Sequence, residues 1–150
     1  MKQLNLVFLF LAFLLFTGCR PESKTKETAI KMAIETVLNQ QVQGWNEGNI
    51  KKFMAGYDQT ETVRFVSGGN VFYGWQTVLD RYKKNYPDKA TMGKLNFSEL
   101  DITIISEDAA LVFGKWQLQR ENDQPWGYFT LLFRKTKEVW RILHDHTSSA

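Results

Sequence analysis

The sequence predicts an α+β domain: helices placed early in the chain, and a curved antiparallel sheet, shaped as a cone, wrapped around them. Two patterns carry this. Between residues 28 and 46 apolar side chains recur at spacings of three and four. After Met92 the chain reads as long strands joined by short polar turns, and such connections imply neighbouring antiparallel pairs. Helices collected ahead of an antiparallel sheet must cover one of its faces. The mouth of the resulting cone is where a small-molecule pocket belongs.

Each element has its own signature. Ile30, Ala33, Ile34, Val37, Leu38, Gln41 and Trp45 form the stripe of the first helix, which Gly48-Asn49 stops. Asn49 can cap a short second helix, in which Ile50, Phe53, Met54 and Tyr57 share a face. Thr62 to Ser67 reads as a strand, Gly68-Gly69-Asn70 as a turn, and Val71 to Tyr73 as the returning strand. Trp75, Val78, Leu79, Tyr82 and Tyr86 mark a third helix, ended by Pro87. Strands follow over Lys94 to Ile105, Ala109 to Arg120, Trp126 to Lys135 and Val139 to Ser148.

Composition removes several function classes. The 150 residues suit one domain with a sizeable core. The 19 basic side chains are scattered among 16 acidic ones, which gives no electrostatic footprint for nucleic acid. One cysteine excludes an intramolecular disulfide and a cysteine-based zinc site. His144 and His146 could supply two metal ligands, but no further histidine exists and nothing fixes a carboxylate as the third, so no metal is expected; no cofactor is expected either. There is no glycine-rich phosphate loop, serine elbow or nucleotide fingerprint.

The first residues read as an address. Lys2 supplies a positive start, and Leu4 to Phe16 is apolar except for Asn5, which is shorter than the ~20 residues a spanning helix needs. Thr17-Gly18-Cys19, followed at once by polar residues, resembles the lipobox of bacterial lipoproteins, with Phe16 in place of the usual Leu. That resemblance implies a signal peptide over 1–18, acylation of Cys19, a polar tether over 19–27 and a domain over 28–150. The mature protein is then expected in the bacterial cell envelope, outside the cytoplasm and held on a membrane through lipidated Cys19. Cleavage removes Lys2 and leaves a nearly neutral surface.

The domain carries a second resemblance. Gly44-Trp45-Asn46-Glu47-Gly48-Asn49, then Phe53-Met54-Ala55-Gly56-Tyr57, the stretch from Arg64 to Trp75, and the ending from Trp140 to Ser148 are similar to the nuclear transport factor 2-like superfamily, SnoaL-like branch. The resemblance implies the cone fold and a homodimer pairing through the sheet. Relatives include isomerases, dehydratases, polyketide cyclases and non-catalytic association domains, so it names no activity.

Candidate site residues come from both sources. Strict alternation on the last strand puts His144 and His146 on one side with Trp140 and Ile142, and Asp145 on the other. If that even face is interior, two imidazoles enter the pocket as acid, base or hydrogen-bond donor. The competing reading is a structural histidine bonded to neighbouring backbone or carboxylate. Asp58 is a second candidate acid or base, or equally a local turn residue. The related isomerases carry a basic aspartate on the following strand, where this chain has Arg64, Phe65 or Val66. Arg64 can pair a ligand carboxylate or sit exposed. Tyr82, Trp116, Tyr128 and Thr130 are candidate pocket residues, with core packing as the plainer role; the resemblance to kinase association domains favours Tyr128 and Thr130. The leading expectation is a domain that binds an unidentified small organic ligand or serves association. The alternative is an isomerase, dehydratase or cyclase that uses a pocket histidine.

Overall fold

The computed structural model describes residues 21–150. The expected signal segment 1–18 and the expected lipidation position Cys19 lie outside the described residues. Helix α1 spans Pro21–Asn46, so it begins seven residues before the expected start at 28. Most of the expected tether is therefore helical. A proline is tolerated at a first helical position, where its absent N–H would have no intrahelical partner. Beyond it Lys24, Thr25, Lys26 and Glu27 contain no breaker.

The stripe on α1 is interior where it meets the sheet. Ile34, Val37, Leu38, Gln41 and Trp45 are buried. Gln41 is polar there, and its amide donates to the Phe53 carbonyl at 3.2 Å. Helix α2, Ile50–Met54, starts at Asn49, whose side chain accepts from Lys52 N–H. Helix α3, Trp75–Asn85, buries Val78, Leu79 and Tyr82. The short helix α4, Lys89–Met92, escapes the sequence reading because four residues show no periodicity; Asp88 caps it by accepting from Thr91 N–H.

Six strands form one sheet in the order β2-β1-β6-β5-β4-β3. They are β1 Arg64–Ser67, β2 Asn70–Tyr73, β3 Lys94–Ile104, β4 Ala109–Gln119, β5 Trp126–Thr136 and β6 Val139–Thr147. All neighbours pair antiparallel except β1 and β6, which run parallel. Gly68 and Gly69, both at positive φ, make the two-residue turn between β1 and β2. Lys137 and Glu138 adopt the same left-handed pair between β5 and β6.

The concave face of the sheet holds the core. Val112 and Leu118 of β4, Phe129, Leu131 and Phe133 of β5, and Trp140 and Ile142 of β6 are buried, together with the helices. Two bulges shape the curve. On β3 the pairing shifts between Ser98 and Asp101, where Glu99 sits at φ 53. On β6 Leu132 faces His144 while its neighbour Phe133 faces Ile142, which leaves Leu143 as the extra residue.

Candidate functional site

The bulge at Leu143 decides which side chains enter the cone. Strict alternation through Trp140 and Ile142 would carry His144 and His146 inward. One inserted residue exchanges the two faces of the strand beyond it. Asp145 therefore turns in with Trp140 and Ile142 and is 5% exposed. His144 and His146 turn out, against the sequence expectation.

A cavity of about 120 Å³ lies between the concave sheet and the helices. Its apolar wall includes Trp45, Phe53, Phe65, Phe97, Trp116 and Leu131, and Ser67, Thr147 and Ser149 add polar atoms. Among the described residues two charged ones line it, Arg81 and Asp145. The turn after α2 is tied to β6: Asp58 N–H donates to the Ile142 carbonyl, and Ile142 N–H donates to the Gly56 carbonyl, both at 2.9 Å. This brings the buried Tyr57 hydroxyl to Asp145 Oδ2, to which it donates at 2.6 Å. Asp145 Oδ1 is buried and has no hydrogen-bond partner among the described residues.

Burial pushes the Asp145 carboxyl up to about 7, against the opposing pull of the Tyr57 hydrogen bond and the Arg81 charge. Burial also pushes the Tyr57 and Tyr82 phenols well above their ordinary range, reinforced by the Asp145 charge. Both hydroxyls therefore stay protonated. The site thus holds a carboxyl able to gain or lose a proton near neutrality, one donor fixed on it, and one free oxygen. Such a group can act as acid, base or hydrogen-bond partner.

The expected site residues divide between the two faces. Tyr82 and Trp116 line the cavity. Tyr128 and Thr130 do lie on one side of β5 with Trp126 and Leu132, but that side is outer, because the large apolar residues Phe129, Leu131 and Phe133 take the interior. On the outer face Tyr128 stacks on Phe113 at 5.3 Å. Arg64 is exposed, and its Nε donates to His144 Nδ1 at 2.9 Å. That pair borders an outer cleft with Tyr73, Leu132, Arg134 and Leu143. Partial burial first, then the Arg64 and His146 charges, hold the His144 imidazole below its ordinary value. His146 is exposed. Asp58 is half-buried beside the cavity wall without lining it.

Sequence reasoning missed Asp145 and Arg81. One signal was present: Ile142-Leu143 places two large apolar residues in succession and breaks the period of two just before the histidines. Among the described residues no three His, Cys, Asp or Glu side chains converge as a metal site would require.

The comparisons agree with this architecture. A family model described as a SnoaL-like domain matches residues 34–150. An NTF-2 like protein of unknown function from Shewanella oneidensis MR-1 is 41% identical, with a TM-score of 0.76, over 79% of this chain and 98% of that one. A ketosteroid isomerase-like protein from Erwinia carotovora atroseptica is 16% identical, with a TM-score of 0.63, over 79% of this chain and 94% of its own. A hexachlorocyclohexane dehydrochlorinase is 15% identical, with a TM-score of 0.66, over 84% and 88%. These last two share the fold. No curated protein matches the chain. With its helices, its curved six-stranded sheet and a family match over most of its length, the chain belongs to the SnoaL-like domain family of the NTF2-like fold.

Proposed function

We propose that this protein is an envelope lipoprotein, acylated at Cys19, whose SnoaL-like domain binds a small organic molecule inside the cone. The observation that carries the binding role is the unpartnered Asp145 Oδ1 in an aromatic cavity. A buried polar atom left without a partner costs about 1–3 kcal/mol, and a ligand that bonds to it removes that cost. The cavity volume is on the scale of a single ring, since an apolar cavity of ~150 Å³ takes benzene.

Protein-detected NMR with single-ring compounds tests this reading. Shifts should centre on Tyr57, Tyr82, Trp116 and Asp145. Shifts confined to His144, Tyr128 and the rest of the outer face would overturn it.

A second reading is an enzyme of isomerase, dehydratase or cyclase type. Its support is the near-neutral titration of Asp145 beside a protonated tyrosine, which replaces the histidine as the acid or base. The isomerase-like and dehydrochlorinase neighbours are named for reactions of this proton-moving kind. Exchange of a ligand C–H for deuterium, abolished by Asp145→Asn, would mark it out from binding alone.

A homodimer through the outer sheet face completes the proposal. Leu111, Phe113, Trp126 and Tyr128 are exposed there on adjoining strands. A ring cluster of this kind is costly to leave in water.

A further inference from the structure

Arg81 and Asp145 line the same cavity but do not pair. The guanidinium lies over the faces of three rings, 4.5 Å from the Phe65 centroid, 5.3 Å from Phe72 and 5.7 Å from Tyr82. Among the described residues no carboxylate lies within 4.0 Å of it, and none of its N–H groups makes a hydrogen bond. Five donors in a fixed fork thus stand half-buried beside a cavity without an acceptor. The stacking on Phe65 and Phe72 holds the head in place by cation–π attraction and leaves its edge free. Asp145 Oδ1 is unpartnered on the same cavity.

From this geometry we infer that the cone selects organic anions: a small carboxylate on an aromatic or aliphatic body, its oxygens taken by Arg81 and by Asp145 in its acid form. The inference rests on the reading of the cone as a ligand site and specifies the ligand's charge.

The electrostatics favour that choice over a neutral ligand. With Asp145 protonated, Arg81 is the one charged group among the described residues that line the cavity. A guanidinium fork matches a carboxylate in two parallel bonds. The protonated Asp145 can donate through Oδ1 while Oδ2 accepts from Tyr57. Once Asp145 ionises, the same carboxyl repels the ligand. Anion binding should therefore weaken as pH rises through about 7. The other titratable groups around the cavity are Tyr57, beyond α2, Tyr82 and Arg81 on α3, and Tyr86 just past its end. Burial keeps the Tyr57 and Tyr82 hydroxyls protonated. Phe65 of β1 and Phe129 and Leu131 of β5 do not titrate. Asp145 is thus the group that changes.

Benzoate and benzyl alcohol, equal in ring and different in charge, are the probes, titrated by NMR into the wild-type protein and into Arg81→Gln, Arg81→Lys and Asp145→Asn. At pH 6 benzoate should bind at least ten-fold more tightly than benzyl alcohol. Arg81→Gln should erase the preference, and Arg81→Lys, which keeps the charge, should retain part of it. Raising the pH to 8.5 should weaken benzoate about ten-fold in the wild type and leave it unchanged in Asp145→Asn. If benzyl alcohol binds in the cone as tightly as benzoate, the anion inference is wrong and the ligand site stands. If neither probe shifts a cavity residue, the ligand site fails and the inference falls with it.

Discussion

The Tyr57 hydroxyl donates to Asp145 Oδ2 at 2.6 Å, joining the turn after α2 to β6 across 88 residues of sequence. The bond satisfies one carboxyl oxygen, yet it does not offset the burial of the charge, and Asp145 is held up near 7 instead of its ordinary 3.8. Between those values the folded chain binds a proton that the unfolded chain has released. Stability must then fall as pH rises from about 4 to about 7 and level off above that. Asp145→Asn keeps an acceptor for Tyr57 and carries no charge. The variant should be more stable than wild type by about 2–4 kcal/mol at pH 8, with the gain gone near pH 4. Denaturant melts at the two pH values read this directly. An equal difference at both would mean that Asp145 stays ionised throughout.

Trp45 closes the α1 stripe and is 3% exposed. Its ring meets Phe53 at 5.1 Å and Tyr86 at 4.7 Å, both edge-on. Its indole N–H donates to the Met92 carbonyl at 3.1 Å. Trp45→Ala removes ring and bond together and should cost about 3–5 kcal/mol. Trp45→Phe keeps a ring and loses the bond, and should cost about 1–2 kcal/mol. Urea melts of the two variants should fall in that order.

Periodicity made most of this fold legible. The α1 stripe, the Asn49 cap, the Gly68-Gly69 turn and the four C-terminal strands follow from spacing and turn chemistry, which act locally. The site depends on events that spacing does not carry. Leu143 is an insertion relative to β5, and it becomes visible only once Phe133 and Leu132 are seen opposite Ile142 and His144. Parity propagated across that point keeps His144 and His146 on one face but puts that face inside, where Asp145 in fact joins Trp140 and Ile142. Arg81 was hidden differently. On a helix that also carries Lys83 and Lys84 at its exposed end, a basic residue reads as solvated. Its place over Phe65 and Phe72 is set by the β1–β2 hairpin packing against α3.

The outer sheet face offers a test of pairing. Tyr128 stacks on Phe113 at 5.3 Å and meets Trp126 edge-on at 5.7 Å. A charge placed amid such rings is poorly solvated once a second copy covers them. Tyr128→Glu should convert a dimer to a monomer with little change in the folded domain, since Tyr128 is 38% exposed. Sedimentation equilibrium of both proteins measures this. A wild-type chain that is monomeric at high micromolar concentration would rule the pairing out.

The proposed membrane attachment rests on the sole cysteine of the chain, Cys19. Cys19→Ser should abolish labelling by a fatty-acid analogue and move the protein from the membrane to the soluble fraction. The reason is physical: each buried CH₂ of an acyl chain contributes about 0.8 kcal/mol, and loss of the chains removes that hold entirely. Equal labelling of the variant would refute the lipoprotein reading.

The outward turn of β6 also sets how its first histidine titrates. Arg64 Nε donates to His144 Nδ1, so that nitrogen must be unprotonated, and the two are register partners on β1 and β6. Partial burial disfavours the imidazolium most, and the charges of Arg64 and His146 add to it. His144 should therefore titrate below the ordinary imidazole value of ~6.5. The folded chain then binds fewer protons than the unfolded chain just below that value, so His144 contributes a small loss of stability as pH falls through it. Arg64→Gln removes one of the two charges and leaves the burial in place. The His144 midpoint should rise in that variant without returning fully to the ordinary value. Proton NMR follows the imidazole resonances, and His144→Gln identifies which belongs to this residue. An unchanged midpoint in Arg64→Gln would mean that the guanidinium does not face the ring in solution.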